Sequence, residues 1–333
     1  MRILVITSMW PSEHDPDFGA FLVPHVAALR AIGHEVGVVA IDRRGGSPLK
    51  YAGLSGRAVA SALRRRPDVV VAHTLFPAGA AGAAAAAVAR VPLVVMAHGQ
   101  DVANLAKPRL RRASQRVLRR ADGVITNSAW LGDRLREQLP GVATTPISLG
   151  VDTEAFSLAA TVPADWPGDH PRLLCVGSLT ERKNVLALAD AFAEFGAGSL
   201  VFVGDGELRV TLERRAGVTV TGRLPHAAVP AWMAACDVLC QPSQAEPFGL
   251  AALEAMALQR TVLVSAVGGP VEFVPPEAGV LVDPSDRGAL LAGLRAAIER
   301  GSPNPAARAA AEDRSAAREA ARFAELLEAV VTR

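Results

Sequence analysis

Short runs of consecutive apolar residues recur along the chain, and longer segments with apolar positions at helical spacing lie between them. A strand buried on both faces gives such a continuous run, and strands that alternate with helices form a parallel sheet covered by helices. The predicted strands are 2–7, 35–41, 69–73, 92–97, 123–126, 172–177, 199–203, 218–221, 237–240, 261–265 and 279–282. The predicted helices include 20–32, 54–66, 77–89, 107–120, 128–138, 184–195, 206–215, 226–235 and 249–258.

This alternation is interrupted once, by an irregular, proline-containing segment from Phe156 to Pro171, after which a new strand begins at Arg172. Since a domain averages about 100–200 residues, we expect two doubly wound, Rossmann-like α/β domains that face a central cleft. Open sheets of this kind bind ligands at the carboxyl ends of their strands. The predicted parts are an N-terminal domain over 1–156, a hinge over 157–171, a C-terminal domain over 172–305 and a helical tail over 306–333 that crosses back to the N-terminal domain.

Composition narrows the class of protein. The 35 Lys and Arg residues nearly balance the 33 Asp and Glu residues, which argues against a nucleic-acid-binding protein. Hydrophobic residues make up 50% of the chain, too many for a disordered protein. The 3 cysteines indicate neither a disulfide framework nor a zinc site, and we see no signal peptide or membrane-spanning segment, so we expect a cytoplasmic protein.

Two common nucleotide-binding motifs are absent from the sequence. The first strand is followed by Thr7-Ser8-Met9-Trp10-Pro11 instead of a G-x-G-x-x-G turn, and no P-loop motif occurs. Asp15-Pro16-Asp17 has the spacing of an acidic metal-binding pair, but it lies just before a predicted helix, where an acidic loop or helix cap is the expected role. We therefore expect neither a metal nor a cofactor.

The segment 244–256 holds the richest set of candidate ligand-binding groups. A helix is predicted to open near Gly249, where unpaired backbone N–H groups and the helix dipole favour a phosphate. Glu246 precedes this start and Glu254 lies inside the helix. Because carboxylates repel phosphate, we expect them to bind sugar hydroxyls on either side of a diphosphate. The alternative is that both acids only stabilise the positive end of the helix.

A second candidate segment, 176–184, lies at the carboxyl end of a predicted strand. Arg182 and Lys183 could neutralise a diphosphate there, the arginine through forked hydrogen bonds and the lysine as a point charge. The alternative is a solvated basic turn. The Gly204-Asp205-Gly206 turn after the next strand is a weak nucleotide signal on its own.

These motifs together resemble the donor domain of retaining family-4 glycosyltransferases of the GT-B type. The motifs of the C-terminal half are VGSLTERKN (176–184), VGDGE (203–207), EPFGLAALEAMA (246–257) and VGG (267–269). Those of the N-terminal half are Trp10-Pro11 through Gly19, Gly33-His34-Glu35-Val36, His98-Gly99-Gln100-Asp101, Asn127-Ser128 and Gly150-Val151-Asp152. The resemblance covers nearly the whole chain, and its E-x7-E element with a PFGL core is its most specific part.

The resemblance implies catalytic roles for four residues. Glu246 would hold hydroxyls of the donor sugar, and Lys183 with Arg182 would stabilise the leaving diphosphate. His98 would lie over the sugar, with its backbone or ring near the reacting centre. These roles predict catalysis by electrostatic stabilisation of the leaving group.

Further residues are expected to bind the donor. Glu254 would bind the ribose hydroxyls, the helix start would offer backbone N–H groups to the diphosphate, and Gly19 would lie in a loop that closes on the phosphate or acceptor. The predicted donor-binding residues are Gly19, Gly177, Ser178, Gly204, Gly206, Phe248, Gly249, Leu250 and Glu254.

Two positions depart from the family pattern. Ser178 stands where the family often has Arg, and Arg182 could supply that charge instead. Ser148-Leu149 replaces the usual Pro-Asn before Gly150.

We therefore expect a retaining, metal-independent glycosyltransferase that moves a hexose from a nucleoside-diphosphate sugar to a hydroxyl acceptor. The expected donor is a UDP-sugar, with GDP- and ADP-sugars as alternatives, and the acceptor is a carbohydrate, a lipid-linked sugar or a small molecule. The alternative functions are a GT-B sugar-nucleotide epimerase or phosphorylase, and a non-catalytic sugar-binding protein.

The segment 107–120 is an arginine-rich, acid-free amphipathic helix. It fits either a packed surface helix with a solvated basic face or peripheral contact with an anionic membrane at its inner face. The histidines without ligand spacing are interpreted as structural or surface residues. They are His25, His73, His170 and His226.

Overall fold

The computed structural model describes residues 1–47 and 49–333, and the chain divides into two compact units. Unit 1 comprises Met1–Leu149 together with Ala316–Arg333, and unit 2 comprises Gly150–Ser315. Each unit contains its own parallel sheet, and each sheet has an apolar cluster on both of its faces. The expected fold, two doubly wound Rossmann-like α/β domains, is therefore confirmed.

The sheet of unit 1 has six parallel strands in the order β2-β1-β3-β4-β5-β6. Its strands are β1 Arg2–Thr7, β2 Glu35–Ala40, β3 Val69–His73, β4 Leu93–Ala97, β5 Gly123–Thr126 and β6 Thr145–Pro146. Alternate side chains of one strand enter opposite clusters, as Leu4 and Ile6 do on one face and Ile3 and Val5 on the other.

The helices of unit 1 cover both faces of this sheet. They are α1 Leu22–Ala31, α2 Leu49–Arg65, α3 Ala78–Ala89, α4 Gln100–Ala103, α5 Pro108–Leu118, α6 Ala129–Gln138 and α13 Ala316–Val331. The last of these packs against α1, and its buried Glu319 accepts a hydrogen bond from the backbone N–H of Ser148 at 2.9 Å. The dipeptide that departs from the family pattern is thereby fixed to the C-terminal helix.

The sheet of unit 2 also has six parallel strands, in the order β12-β11-β10-β7-β8-β9. Its strands are β7 Arg172–Val176, β8 Ser199–Val203, β9 Val218–Gly222, β10 Val238–Gln241, β11 Thr261–Ser265 and β12 Gly279–Val282. Its helices are α7 Val185–Phe195, α8 Arg209–Glu213, α9 Val229–Ala235, α10 Leu250–Ala257, α11 Arg287–Arg300 and α12 Pro305–Glu312.

The division between the units falls at Leu149, upstream of the predicted domain end at 156. Val151, Phe156 and Trp166 all lie in the apolar core of unit 2. Arg308 on α12 donates hydrogen bonds to the carbonyl oxygens of Thr153 at 3.0 Å and Phe156 at 3.1 Å, so this segment is held to unit 2. The predicted tail over 306–333 accordingly divides between the units, with α12 in unit 2 and α13 in unit 1.

Every predicted strand is present, and β6 is an addition that the sequence pattern did not predict. Two residues, one of them a proline, are too short to form an apolar run. Within the described ranges, the helices are too short or too polar to cross a bilayer.

Candidate functional site

A buried ion pair lies at the carboxyl ends of β7 and β10 in unit 2. Lys183 Nζ donates to Glu246 Oε2 at 2.6 Å, and the two side chains are 13% and 8% exposed. Ser243 Oγ donates to the same carboxylate oxygen at 2.9 Å. The sequence separates lysine and glutamate widely, and the adjacency of the two parallel strands brings them together.

The electrostatics of this pair keep Glu246 ionised. Burial on its own would raise the pKa of Glu246, but Lys183, the Ser243 hydroxyl and the charge of Arg182 together lower the pKa below its ordinary value. The site therefore contains a carboxylate and an ammonium group that are largely buried and hydrogen bonded to each other.

Backbone hydrogen bonds join the two loops that carry this pair. The N–H of Gln244 donates to the carbonyl oxygen of Arg182 at 2.9 Å, and the exposed Arg182 side chain donates back to the carbonyl oxygen of Ala245 at 3.3 Å. Lys183 closes a short 3-10 turn over Glu181–Lys183. Arg182 thus lies beside the pair as an exposed residue.

The Val267-Gly268-Gly269 motif supports the backbone of Glu246. Glu246 N–H donates to the carbonyl oxygen of Val267 at 3.2 Å, and Gly269 N–H donates to the carbonyl oxygen of Glu246 at 2.8 Å. A Cβ at Gly268, where φ is +124°, would lie 2.0 Å from the Glu246 carbonyl oxygen, so this position requires glycine. The glycine pair therefore fixes the loop that presents the carboxylate.

The helix α10 begins immediately after this loop. Gly249, with φ of +98°, caps it, and Leu250 is its first residue. The first N–H groups of a helix have no intrahelical partner and favour an anion. Phe248 packs against Phe273, with ring centroids 5.1 Å apart, which anchors the residue before the cap.

Glu254 lies one turn inside α10 and contacts a histidine. It is buried, and its Oε1 is 3.2 Å from His226 Nε2. The hydrogen bond to Glu254 raises the pKa of His226, burial opposes that shift, and the charge of Glu254 adds to it, so the net pKa is above its ordinary value. His226 also meets the edge of Phe156, with ring centroids 5.8 Å apart.

The remaining predicted donor-binding residues of unit 2 lie in adjoining loops. Gly177 and the exposed Ser178 follow β7 directly. A Cβ at Gly204 would lie 1.9 Å from the Gly177 carbonyl oxygen, and one at Gly206 would lie 2.4 Å from that of Leu179. These two glycines are thus required for packing of the first loop, and their predicted contact with the donor stays a prediction.

The predicted residues of unit 1 lie at the carboxyl ends of β1 and β4. Gly19 packs against the backbone of Met9 in the loop before α1. His98 follows β4, and Asp101 accepts hydrogen bonds from the backbone N–H groups of His98, Gly99 and Val102 at 3.0, 2.9 and 3.1 Å.

The carboxylate of Asp101 also binds the loop that follows β3. Asp101 Oδ2 accepts from the N–H of Leu75 at 2.9 Å, which ties the loop after β3 to the loop after β4. On the β3 side, His73 Nδ1 lies 3.0 Å from His98 Nε2. On the β5 side, Asn127 Nδ2 lies 3.4 Å from His98 Nδ1.

The acidic pair near the N-terminus is engaged by an arginine. Arg44 Nη1 and Nη2 each donate to a carboxylate oxygen of Asp17 at 2.7 Å, and the Arg44 backbone N–H donates to Asp15 at 2.8 Å. Over the described ranges no cluster of three or more His, Cys, Asp or Glu side chains is arranged to hold a metal.

Several contacts in these sites were not predicted from the sequence. The sequence indicates structural or surface roles for His73 and His226, yet each contacts a predicted site residue. A usable signal existed for His73, because it ends a predicted strand adjacent to the one that precedes His98. Asn127 also carried a signal, because it belongs to the Asn127-Ser128 motif and directly follows the predicted strand 123–126, whereas Ser243 carried none.

Comparison with known proteins identifies the two halves of the chain separately. A family model described as Glycosyltransferase Family 4 matches residues 4–155, and one described as Glycosyl transferases group 1 matches residues 170–300. Together these models account for most of the chain.

Individual relatives agree with the family models. The chain is similar to the Bacillus subtilis protein TuaC, whose name assigns it to teichuronic acid biosynthesis as a glycosyltransferase, with 26% identity and 87% coverage of each chain. It is 31% identical to a glycogen synthase of Mycobacterium tuberculosis over 73% of this chain and 62% of the relative. Among solved structures, Anabaena HepE in complex with UDP has a TM-score of 0.76 at 23% identity, over 99% of this chain and 100% of that one.

Proposed function

The chain is a group 1 glycosyltransferase with the GT-B fold, and from this premise we propose that it is a retaining, metal-independent enzyme that transfers a hexose from a nucleoside-diphosphate sugar to a hydroxyl acceptor. The observation that carries this proposal is the buried Lys183–Glu246 pair beside the start of α10. It combines a cation, backbone N–H donors and a carboxylate in one group of loops.

In the proposed reaction the bond between the anomeric carbon and the diphosphate oxygen breaks, and a bond to the acceptor oxygen forms on the same face of the sugar. The acceptor proton passes to the leaving phosphate oxygen. Negative charge develops on the leaving group during this exchange, and fixed positive groups lower the barrier. No base on the protein is required.

Lys183 is the group that we propose to stabilise the leaving diphosphate. Its ammonium group is paired with Glu246 in the structure. A bound diphosphate gives Lys183 a second anion, and Glu246 then needs new donors because an uncompensated buried carboxylate is costly. Hydroxyl groups of the donor sugar supply them, so sugar binding and leaving-group stabilisation are coupled through one ion pair.

The helix start and Glu254 would bind the nucleotide part of the donor. The backbone N–H groups of Phe248, Gly249 and Leu250 face the diphosphate in this proposal, and Glu254 accepts from the ribose hydroxyls. Ribose is common to UDP, GDP and ADP, so Glu254 does not select the base. The UDP complex of the similar HepE supports a UDP-sugar as donor, with GDP- and ADP-sugars as alternatives.

Arg182, Lys183 and the start of α10 would together supply the positive charge that a divalent cation provides elsewhere. The proposal is therefore metal-independent, and an excess of a chelator should leave turnover unchanged. His98 is proposed to act at the reacting sugar, in keeping with the family resemblance. The acceptor is a carbohydrate, a lipid-linked sugar or a small molecule.

The test is an assay of the full chain with UDP-, GDP- and ADP-glucose against a panel of acceptors. We expect release of nucleoside diphosphate that depends on an acceptor, and a product with the same anomeric configuration as the donor by NMR. An inverted product contradicts retention. Sugar isomerisation without an acceptor, or phosphorolysis, indicates the epimerase or phosphorylase alternative, and a thermal shift without turnover indicates a binding protein.

A second proposal concerns the basic helix α5, which lies within the predicted segment 107–120. Its apolar side is packed inside unit 1, where Val117 is buried and the helix contacts α3. Arg109, Arg112 and Arg116 are exposed, and the helix contains no acid. We propose that the exposed arginines contact an anionic membrane surface through charge alone, without insertion of apolar side chains. This contact would hold a cytoplasmic protein at the inner face of the membrane.

Flotation with anionic vesicles tests this proposal. Binding should be present at low salt and lost near 0.5 M salt, since exposed charges are screened within about 10 Å already at 0.1 M. Reversal of Arg109, Arg112 and Arg116 to Glu should abolish it. Failure to bind at low salt would leave the solvated-face interpretation in place.

A further inference from the structure

Three histidines lie next to one another in unit 1, with His25 and His73 buried and His98 half-buried, and two of them are hydrogen bonded through their rings. His73 Nδ1 is 3.0 Å from His98 Nε2, and the two rings are nearly parallel, with centroids 5.2 Å apart and an interplanar angle of 20°. His25 meets the edge of His73 with ring centroids 6.0 Å apart. The strand order of the sheet explains why His73 and His98 lie side by side, because β3 ends at His73 and the adjacent β4 ends one residue before His98.

Burial keeps these rings neutral. It lowers the pKa of His98 to about 4, although the charge of Asp101 acts in the opposite direction. It also lowers the pKa of His73 well below its ordinary value, and the neighbouring histidines add to this. A neutral imidazole donates from one nitrogen and accepts at the other, so a bond between two rings links their tautomers.

Asn127, which contacts the other ring nitrogen of His98, determines which nitrogen of His98 carries the proton. The amide nitrogen of Asn127 faces His98 Nδ1 at 3.4 Å and can only donate, so Nδ1 accepts. The proton of His98 then lies on Nε2 and is donated to His73 Nδ1. Both ring nitrogens of His98 are thereby engaged within the protein.

The backbone around the two rings is fixed independently. Asp101 holds the N–H groups of Leu75 and His98, as described above. Thr74, directly after His73, has φ of +94°, which is unusual for a β-branched residue, and its N–H donates to Met96 at 2.8 Å. Strained backbone of this kind is maintained only where the surrounding structure holds it.

We propose that His73 is a positioning residue for His98: its Nδ1 accepts the Nε2 proton of His98 and, with Asn127, fixes the tautomer and orientation of that ring. The inference rests on the proposed function in one respect, that His98 acts at the reacting sugar. With both nitrogens occupied, His98 contributes a fixed, uncharged ring and backbone and does not carry a proton during the reaction.

His25 provides a matched control for simple packing. It is as buried as His73, it packs against Phe323 with ring centroids 4.7 Å apart, and within the described chain neither of its ring nitrogens has a hydrogen-bond partner. If His73 only fills space, replacing either histidine with Phe should have similar effects. If His73 positions His98, the two replacements should differ.

The experiment compares His73→Phe, His73→Asn, His25→Phe and His98→Ala in the full chain, with kcat and the donor KM measured in the acceptor assay. We expect His73→Phe to lower kcat about 10- to 100-fold with a nearly unchanged donor KM, since a misplaced reacting group costs up to about 10²-fold. His73→Asn keeps an acceptor near the Nδ1 position and should recover most of kcat. His25→Phe should leave kcat within about twofold, a change worth less than 0.5 kcal/mol.

A second measurement does not depend on activity. In ¹⁵N NMR spectra of the imidazole groups, His98 should be a single Nε2–H tautomer in the unsubstituted chain and should lose this state in His73→Phe. The inference is overturned if His98 is the Nδ1–H tautomer, if His73→Phe retains kcat while His98→Ala loses it, or if His73→Phe and His25→Phe lose kcat equally. Absence of acceptor-dependent turnover in the unsubstituted chain would instead overturn the proposed function, and the NMR measurement would still decide whether His73 fixes the ring.

Discussion

A group of ionisable side chains lies at the carboxyl ends of the strands in each of the two sheets. In unit 2 the group keeps its charges on burial, and in unit 1 burial favours the neutral form. In unit 2, Lys183 and Glu246 meet as an ion pair, and the pKa of Glu246 is lowered in spite of its burial. In unit 1, the ring partners of His98 are an imidazole and an amide, and burial lowers the pKa of His98 to about 4. A buried group keeps its charge only where the fold supplies a counter-charge.

This difference separates two kinds of contribution to a site. The loops of unit 2 hold charges that can respond to a diphosphate and to sugar hydroxyls. The loops of unit 1 hold an uncharged ring in place through hydrogen bonds and a carboxylate that binds backbone N–H groups. Substitutions in the first region should therefore change chemistry and binding, and those in the second should change stability and orientation.

The largest effect is expected for Lys183→Ala. Loss of a preorganised cation at the leaving group should lower kcat by about 10²–10³-fold, while the affinity for UDP falls much less. Steady-state kinetics and calorimetry measure the two quantities. Arg182→Ala is the matched control, because it removes the same charge from an exposed neighbour and should have the smaller effect on kcat. Equal losses of kcat and UDP affinity in Lys183→Ala would contradict the leaving-group role.

The next largest effect is on stability, for Asp101→Ala. Its carboxylate accepts from four backbone N–H groups, and the substitution leaves these donors without their partner. Because an unsatisfied buried donor costs about 1–3 kcal/mol, we expect a loss of about 3 kcal/mol in the free energy of unfolding, measured by urea denaturation. Asp133→Ala, at a residue with a side chain 62% exposed, is the control and should cost below about 1 kcal/mol. Similar losses in the two variants would show that Asp101 does not hold the two loops together.

The strands and the two-domain fold class could be predicted because a buried parallel strand has an apolar sequence pattern of its own. The E-x7-E and ERKN motifs could be placed in the loops that follow two such strands for a related reason, and their roles toward a donor stay predictions. The two-residue strand β6 has no such pattern. The division at Leu149 could not be predicted either, because Arg308 holds the segment after it through carbonyl groups, which no side-chain pattern reveals.

The pairings within each site depend on strand adjacency and were beyond the sequence. His73 and His98 are 25 residues apart, and His226 and Glu254 are 28 apart, so neither pair has a local spacing. Gly204 shows a different limit, because its motif can be recognised in the sequence but its packing contact cannot. Its motif is that of a nucleotide-binding turn, whereas its close approach to the Gly177 carbonyl group is visible only in the fold.

A smaller effect, on binding, is expected for Glu254→Gln. A hydrogen bond to a charged group is worth about 1.5–3 kcal/mol, so UDP should bind roughly tenfold more weakly or worse. Calorimetry with 2′,3′-dideoxy-UDP is the control, because a nucleotide without ribose hydroxyls should bind the variant and the unsubstituted chain alike. If Glu254→Gln weakens both nucleotides equally, the carboxylate does not bind the ribose.

The smallest effect concerns the one histidine in these two sites whose pKa is raised. The hydrogen bond to Glu254 raises the pKa of His226 above its value of about 6.5 in the unfolded chain. The resulting stabilisation is complete below about pH 6.5 and is lost as the pH rises through the raised pKa. His226→Gln should therefore lower the free energy of unfolding, measured by urea denaturation, more at pH 6 than at pH 9, by less than about 1 kcal/mol because the pair is partly screened by solvent. His14→Gln, at an exposed position, is the control and should change the free energy of unfolding by no more than about 0.5 kcal/mol, as surface substitutions usually do. A loss of unfolding free energy in His226→Gln that does not depend on pH would mean that His226 stabilises unit 2 as an uncharged ring. His226 would then resemble the histidines of unit 1. The contrast between the two regions would be confined to Lys183 and Glu246.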